Sequence, residues 1–449
     1  GPAGYFGAER LAHRGKKVLL IEKESIGGTC LNVGCIPTKT LLHSAKHYLH
    51  AKESAQFGVY CENPSFNFAE MMSRKEKTVK TLCTGVNSML KKLNVEIISG
   101  TGQLIDGNRV KIAESGEIYE ARAILLATGS VPVMPAIPGA ENNPRVLDST
   151  ALLNIENLPQ SLCIIGGGVI GIEFASLFST LGSTVSVIEM LDEIIPPMDK
   201  DHAPLLRKAL SGVDFYTGCT VRKIEQGSDA DTIYFTAKDG TDKFVHADIV
   251  LSAVGRRAYI DSSLASDIGI DIGSKGITAD EHMRTNISGI WAVGDVNGQS
   301  MLAHSAYRMA EVAVNAICAY LEGEKSCDIM RYNAVPWVVY SIPEAAGCGL
   351  TEQEAIAQGI EIQTAAVPMQ LSGRFIAENG LRAVGNVKII ATKQEGRILG
   401  VHIVGPYASE IIWGAGALIE NELRVQDVKE MIFAHPTVSE VIREAIWTM

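Results

Sequence analysis

The sequence predicts an α/β protein with two Rossmann-like dinucleotide-binding domains and an α+β C-terminal domain. Three observations predict this fold class. A glycine-rich turn before a helical pattern occurs twice, and in each copy the last glycine lies 18 residues before a glutamate. Strand-like and helix-like runs alternate from residue 334 onward. At 449 residues, the chain is also too long for one ordinary domain.

The more complete glycine-rich turn lies in the middle of the chain. It follows a short apolar run, and Gly166, Gly168 and Gly171 fit the dinucleotide-binding fingerprint. A second apolar run, residues 184–188, ends in Glu189. The carboxylate of Glu189 can accept hydrogen bonds from both ribose hydroxyls and would repel a 2′-phosphate. The sequence therefore predicts a site that prefers NAD over NADP.

The start of the chain repeats this spacing. Residues 1–4 fit the last four positions of the fingerprint, with Gly1 and Gly4 as its glycines, and the apolar run 17–21 ends in Glu22. The strand and the glycine that would open this copy are missing from the sequence, so we expect that an N-terminal segment has been lost. Two dinucleotide sites suggest a hydride relay between a flavin and a diffusible nicotinamide.

Two cysteines lie between these turns, in the run GGTCLNVGCIPTK at residues 27–39. Cys30 and Cys35 can close a small disulfide ring, which constrains little chain and therefore fits a redox group better than a structural crosslink. Two neighbouring core cysteines remain the alternative, while Cys-x4-Cys is not the usual zinc spacing and no metal site is predicted. The odd total of nine cysteines argues against a secreted disulfide framework.

The composition excludes several classes of partner. The formal net charge is −11 and no basic block is present, which argues against nucleic-acid binding. No apolar run approaches the ~20 residues that span a bilayer, so no membrane partner is expected. No signal peptide is visible. We expect a cytoplasmic protein, with the mitochondrial matrix left open.

These motifs resemble those of the FAD-dependent pyridine nucleotide–disulfide oxidoreductases, and the resemblance covers essentially the whole chain. Residues 27–39 are nearly the family's redox signature. The run LATGS at 126–130 is similar to the strand that returns to the flavin domain, and residues 285–296 are similar to the second flavin segment. The run FAHPTVSE at 433–440 resembles the C-terminal catalytic motif. Within the family, the chain most resembles the members that oxidise dihydrolipoamide.

The resemblance implies a role for each candidate catalytic residue. Cys30 would exchange with the substrate thiol, and Cys35 would contact the flavin. His435, contributed by the other subunit of a homodimer, would act as the thiol base and be oriented by Glu440. Lys39 would lie near the flavin and pair with a glutamate that matches Glu173.

The resemblance and the two glycine-rich turns also give the candidate cofactor residues. The FAD candidates are Gly1, Gly4, Glu22, Thr29, Lys39, Gly102, Thr128, Gly129, Asp295 and Ala303. The candidates on the NAD side are Gly166, Gly168, Gly171, Glu173, Glu189, Val221 and Gly255.

The implied reaction is oxidation of protein-bound dihydrolipoamide to lipoamide through a Cys30–Cys35 redox disulfide and FAD, with hydride transfer to NAD+. The implied partners are a lipoyl domain and the acyltransferase core of a 2-oxoacid dehydrogenase-type complex. Two alternatives stay open: a related FAD disulfide reductase with another substrate, and a docking subunit. Phe433 stands where the family often has a second histidine, and residues 371–379 have no assigned role.

The domain organisation follows from the same motifs. The sequence predicts an FAD-binding domain over 1–146 and an NAD-binding domain over 147–267. A second FAD-domain segment is predicted over 268–333 and a dimerisation domain over 334–449. Dimerisation itself is implied by the resemblance.

Overall fold

A computed structural model describes residues 1–261 and 268–449. The chain divides into two compact units, of which the first comprises 1–40, 69–133 and 255–331 and the second 41–68, 134–254 and 332–449. The predicted domain boundary between residues 267 and 268 involves a residue outside the described part. The boundaries near 146 and 333 stay predictions.

The helices in the described part of the chain vary from single turns to a length of 25 residues. In chain order they are α1 (Pro2–His13), α2 (Gly28–Asn32), α3 (Cys35–Glu53), α4 (Phe68–Lys92), α5 (Ser149–Leu152), α6 (Val169–Thr180), α7 (Ala203–Ala209), α8 (Ala303–Glu322), α9 (Glu352–Ala357), α10 (Gly373–Asn379), α11 (Ala408–Glu420), α12 (Val425–Lys429) and α13 (Glu440–Trp447). Short 3-10 turns span Ser54–Phe57, Gly294–Asn297 and Met369–Leu371.

The strands are short, with at most seven residues in those described. They are β1 (Leu19–Glu22), β2 (Glu96–Ser99), β3 (Gly102–Leu104), β4 (Arg109–Ile112), β5 (Ile118–Glu120), β6 (Ile124–Leu126), β7 (Ser130–Pro132), β8 (Val146–Leu147), β9 (Ser161–Ile165), β10 (Thr184–Ile188), β11 (Val213–Tyr216), β12 (Thr220–Glu225), β13 (Asp231–Thr236), β14 (Asp242–Ala247), β15 (Ile249–Ser252), β16 (Arg256–Ala258), β17 (Ile290–Ala292), β18 (Trp337–Val339), β19 (Ala345–Gly349), β20 (Ile362–Pro368), β21 (Asn386–Thr392) and β22 (Ile398–Val404).

The first unit is built from small sheets and long helices. Strands β1 and β2 pair in parallel, as do β6 and β17, while β3, β4 and β5 form an antiparallel sheet. Helix α1 begins with Pro2, whose fixed φ suits the first helical position. Helices α1 and α8 pack on each other. In this unit Tyr5 and Leu90 are buried in one hydrophobic cluster.

The second unit contains a parallel sheet in the order β11-β10-β9-β15-β8. Residues 162–165 of β9 are at most 7% exposed, as expected for a central parallel strand covered on both faces. Helix α6 follows this strand directly and buries eight of its residues. The antiparallel sheet β12-β13-β14 contributes Ile233 and Phe235 to the same core.

The C-terminal part of the second unit is an α+β domain. Its antiparallel sheet has the order β18-β19-β22-β21-β20, and α11 and α13 pack against it over a core that includes Val387, Ile389 and Val401. The parallel sheet and this α+β domain confirm the predicted fold class. Among the described helices, none is long and apolar enough to cross a membrane.

Candidate active site

Cys30 and Cys35 form a disulfide, and their Cα atoms are 4.6 Å apart. Cys30 lies in the short helix α2, and Cys35 is the first residue of the 19-residue helix α3. Both cysteines are partly exposed. A helix N-terminus stabilises an anion, so the reduced protein would favour a thiolate at Cys35. The pair therefore has the accessibility and the electrostatic environment that thiol exchange requires.

The backbone of the first glycine-rich turn comes very close to the segment that carries the cysteines. A Cβ added to Gly28 would lie 2.2 Å from the Cα of Gly1, so no larger residue fits at position 28. Gly1 directly precedes α1. The two backbones therefore meet at the N-terminus of this helix, and a helix N-terminus is the arrangement that binds the phosphates of a dinucleotide. These residues fit the FAD that the sequence predicts.

Asp295 lies in the 3-10 turn after β17, and its carboxylate accepts a hydrogen bond from the Ser130 hydroxyl. Arg256 donates to the same hydroxyl through Nε at 2.8 Å and to the Ser130 carbonyl at 2.8 Å. The Nη2 that donates to this carbonyl also lies 3.5 Å from the Thr29 hydroxyl, next to Cys30. This network connects Asp295 with the cysteine segment inside the first unit.

All ten candidate FAD residues belong to the first unit. Glu22 ends β1, Gly102 begins β3 and Ala303 begins α8. The Thr128 hydroxyl donates to the carbonyl of Tyr259 at 2.8 Å. Gly1 precedes α1 and Gly4 lies on it, while Gly129 follows β6. Thr29 lies on α2, Lys39 on α3 and Asp295 in the 3-10 turn Gly294–Asn297.

The second glycine-rich turn has the close packing that its fingerprint predicts. A Cβ on Gly171 would lie 2.1 Å from the carbonyl oxygen of Gly166, so glycine is required where α6 approaches the strand. Gly168 is the N-cap of α6, and the space beside its Cα is open. That open space at a helix N-terminus fits a pyrophosphate.

Glu189 follows β10 and is 8% exposed. One carboxylate oxygen accepts the N–H of Gly167 at 2.5 Å, and the other accepts the N–H of Leu191 at 2.7 Å. Two backbone donors thus fix the carboxylate beside the glycine-rich turn. In that position it can bind ribose hydroxyls and oppose a 2′-phosphate, as NAD selectivity requires.

Two further NAD-side candidates share the second unit, and one does not. Glu173 is 4% exposed and accepts the N–H of Tyr340 at 3.1 Å, while Val221 lies on β12. Gly255 belongs to the first unit, just before β16. Because Lys39 and Glu173 lie in different units, their predicted pairing stays a prediction.

Glu440 is the first residue of α13, and His435 lies five residues before it. Nδ1 of His435 is 2.8 Å from Oε1 of Glu440, while the other carboxylate oxygen accepts the N–H of Thr437 at 2.9 Å. The His435 side chain is 77% exposed and that of Glu440 is 5% exposed. The N–H of Thr437, and next His435, hold the pKa of Glu440 below its ordinary value. An ionised, buried carboxylate therefore orients an exposed imidazole, which leaves Nε2 available as a base.

Comparisons with known proteins decide the family. The family model described as pyridine nucleotide-disulphide oxidoreductase matches residues 1–310, and the dimerisation domain of the same family matches residues 335–446. The chain belongs to the pyridine nucleotide-disulphide oxidoreductase family. FAD and NAD(H) are the cofactors of this family, and the matched dimerisation domain supports a homodimer.

Several relatives are similar over almost the whole chain. The dihydrolipoyl dehydrogenase of Geobacillus stearothermophilus is 37% identical over 450 residues, covering 99% of this chain and 93% of that protein. Dihydrolipoyl dehydrogenase 3 of Haloarcula marismortui is 38% identical over 459 residues, covering 99% and 94%. Among solved structures, the Cu(II) complex of the HOCl-induced flavoprotein disulfide reductase RclA from Escherichia coli has a TM-score of 0.87 and 28% identity, covering 100% of this chain and 97% of that one.

The structure adds residues that the sequence patterns did not indicate. Ser130 and Arg256 connect Asp295 with Thr29, although they lie 126 positions apart in the chain. No local pattern predicts such a contact. Ser372 donates its hydroxyl to the Thr437 carbonyl at 3.0 Å and lies in the segment 371–379, which had no assigned role. For Ser372 a signal existed, because serine before a helical run is a typical N-cap.

Proposed function

We propose that the chain oxidises dihydrolipoamide, free or carried by a lipoyl domain, and transfers two electrons through the Cys30–Cys35 disulfide and FAD to NAD+. The observation that carries this proposal is the partly exposed disulfide at the N-terminus of α3, in the unit that also holds all the FAD candidates. Relatives that are 37% identical over 99% of this chain are named dihydrolipoyl dehydrogenase, which supports the choice of substrate.

The thiol exchange can be written for the chain's own residues. A substrate thiolate attacks Sγ of Cys30, the Cys30–Cys35 bond breaks, and Cys35 leaves as a thiolate. The second substrate thiolate then attacks the substrate sulfur of the mixed disulfide, which releases lipoamide and the Cys30 thiolate. The helix N-terminus at Cys35 favours that leaving group, because it stabilises the negative charge.

His435 would supply the base for this exchange. A thiol with a pKa of ~8.5 is mostly protonated at neutral pH, so Nε2 of His435 would accept the substrate proton. Glu440 holds Nδ1 and stabilises the imidazolium that forms. Because the His435 side chain is exposed, His435 of one subunit could serve the disulfide of the other, as the family resemblance implies.

Bound FAD would supply the two-electron acceptor between the thiols and NAD+. Its pyrophosphate would bind at the N-terminus of α1, where Gly1 and Gly28 approach closely, and Asp295 would bind its sugar chain. On the other side, Glu189 would select NAD+ over NADP+ by its fixed carboxylate. We further propose a lipoyl domain and an acyltransferase core as partners, and a cytoplasmic location like that expected for the bacterial relatives.

The test compares two assays of the purified, FAD-loaded protein. We expect NADH formation from dihydrolipoamide and NAD+, and no NADPH-dependent reduction of glutathione disulfide. The reverse result would contradict both the substrate and the nucleotide preference. The Glu189→Gln variant sharpens the test, since loss of the carboxylate charge should raise the relative rate with NADP+ while the rate with NAD+ falls.

A disulfide reductase with another substrate is the second candidate. The structural similarity to RclA favours it, because that protein is named a flavoprotein disulfide reductase. Activity with small disulfides at the expense of NADH, without activity toward dihydrolipoamide, would support this candidate instead.

A further inference from the structure

The loop that carries His435 has few side-chain contacts of its own. The imidazole is 77% exposed, and its one hydrogen bond among the described residues is to Glu440. The direction in which Nε2 points is therefore set by the backbone of residues 434–439. Any residue that fixes this backbone would also fix the base.

Thr437 holds this loop in place through several hydrogen bonds. Its N–H donates to Glu440 at 2.9 Å, and its hydroxyl donates to the carbonyl of Ala434 at 2.8 Å. Its own carbonyl accepts the hydroxyl of Ser372 at 3.0 Å. A rotation at Thr437 would change the position of the Glu440 carboxylate and, through it, of His435.

Ser372 is well suited to fix Thr437, because it is itself fixed. It is 2% exposed and caps α10, where its hydroxyl oxygen accepts the N–H of Phe375 at 3.2 Å. Phe375 is fully buried in the hydrophobic core of the dimerisation domain. A continuous path therefore leads from the core, through Phe375 and Ser372, to the loop that carries the base.

We propose that Ser372 is a positioning residue for the His435–Glu440 pair and acts only in the dithiol half of the reaction. This inference rests on the proposed function, since it assigns His435 to the substrate thiol. Ser372 touches neither substrate nor cofactor in this account. It keeps Thr437 oriented so that Glu440 holds Nδ1 of His435 and leaves Nε2 unprotonated.

A purely structural role as a helix cap must be separated from positioning. Glycine is tolerated at an N-cap almost as well as serine, so Ser372→Gly removes the hydroxyl donor while nearly preserving the cap. Ser372→Thr keeps both the acceptor and the donor. Thr351→Ala is the matched control, because Thr351 caps α9 in the same domain. Its hydroxyl accepts the N–H of Glu354, which is not part of the His435 loop.

The kinetic experiment measures both halves of the reaction in each variant. For Ser372→Gly we expect kcat with dihydrolipoamide to fall by roughly tenfold, which is the value of about one hydrogen bond, with a changed pH profile of kcat. NADH-dependent reduction of ferricyanide, which bypasses the dithiol, should stay at the wild-type rate. Ser372→Thr should restore turnover, and Thr351→Ala should not lower it. Unchanged turnover in Ser372→Gly, or an equal loss in both halves, would overturn the assignment.

A second measurement does not depend on the substrate. Nitrogen-15 spectra of histidine-labelled protein report which ring nitrogen of His435 is protonated, with His435→Gln identifying the signal. We expect one Nδ1–H tautomer in the wild type and in Ser372→Thr, and a tautomer mixture in Ser372→Gly. Identical spectra would overturn the assignment. A wild type that does not oxidise dihydrolipoamide would instead refute the proposed function, and the spectra would still decide the role of Ser372.

Discussion

Two ionic clusters in the second unit use similar side chains in opposite ways. At the end of the chain, the buried Glu440 holds an imidazole that is 77% exposed. Elsewhere, Lys388 is 2% exposed, and its ammonium group lies 2.9 Å from Oδ1 of Asp199 and 2.6 Å from Oε2 of Glu352. Oδ2 of Asp201 lies 2.5 Å from the same ammonium group and completes this second cluster. One cluster presents a titratable group to solvent, while the other withdraws its central charge from solvent.

The difference separates an arrangement that suits catalysis from one that suits stability. Burial alone would lower the pKa of Lys388, but its three carboxylate partners outweigh burial and raise this pKa above the ordinary lysine value. A lysine held so firmly in its charged form cannot exchange protons near neutral pH. The imidazole of His435, in contrast, is exposed and lies where a substrate thiol could reach it. Within one unit, exposure therefore distinguishes the proposed base from the buried Lys388 cluster.

The largest expected effect is at His435. Replacement by glutamine removes the base, so kcat with dihydrolipoamide should fall by about 10²- to 10⁴-fold. The thermal unfolding midpoint and the FAD content should not change, because the side chain is exposed. Steady-state kinetics measure kcat, and a thermal scan measures the unfolding midpoint. Unchanged turnover would mean that another group is the base.

Lys388→Met should lower the stability of the protein but hardly change its turnover, the reverse of the effect of His435→Gln. It leaves the fully buried Asp199 without its cation, which should lower the free energy of unfolding by about 3–5 kcal/mol. Turnover of the protein that remains folded should stay within about twofold of the wild type, since this cluster has no part in the chemistry. Urea unfolding and turnover per bound FAD measure these quantities. A stable but inactive variant would contradict the comparison.

Acid should destabilise the region of the buried Lys388 cluster, where His202 lies, before it affects the His435–Glu440 pair. Burial, and next the neighbouring His402, lower the pKa of His202 to about 4, from an ordinary value of 6.5, with Asp199 and Lys388 nearby. Between those pH values the unfolded chain binds a proton that the folded chain does not. Stability therefore falls as the pH drops from 6.5 to about 4, by up to roughly 3 kcal/mol.

Glu440 responds differently to acid. Its lowered pKa means that its contribution to stability is present above pH 4.5, its ordinary pKa, and is lost only as the pH falls through the lower folded value. Urea unfolding at pH 7, 6, 5 and 4 would test the contrast, and His202→Gln should flatten the profile above pH 4. An equally steep profile in that variant would assign the acid sensitivity to other groups.

The smallest expected effect is at Arg443. It lies 3.3 Å from Oε1 of Glu440, but it is 33% exposed and also contacts Glu444. An exposed ion pair of this kind contributes about 0–1 kcal/mol, so Arg443→Gln should change turnover by less than about twofold. A loss comparable to that of His435→Gln would show that Glu440 depends on Arg443 and not on Thr437.

How far the sequence predicted this molecule depended on the range of each interaction. The glycine-rich turn before α6 and the acid that follows β10 were predictable, because both obey a fixed spacing within one strand–helix–strand segment. The pairing of His435 with Glu440 was expected from the resemblance of residues 433–440 to the family's catalytic motif, and the two side chains are hydrogen-bonded in the structure. The family resemblance supplied the roles of Cys30 and Cys35, which spacing alone left open.

The contacts that the sequence could not predict join distant parts of the chain. Lys388 and Asp199 are 189 positions apart, and neither lies in a recognisable motif. Ser372 donates to a carbonyl 65 positions away, and a local pattern shows only its role as a cap. Such contacts follow from the packing of whole elements, which periodicity and spacing do not specify.

The most direct test of the central claim is anaerobic reduction of the FAD-loaded protein by dihydrolipoamide, followed by absorbance. The account predicts a long-wavelength band from the Cys35 thiolate beside the oxidised flavin, and NADH formation when NAD+ is added. Cys35→Ser should abolish both the band and the dithiol-dependent NADH. If Cys35→Ser kept the band and still formed NADH, the Cys30–Cys35 disulfide would not be the redox group, and the account would be wrong.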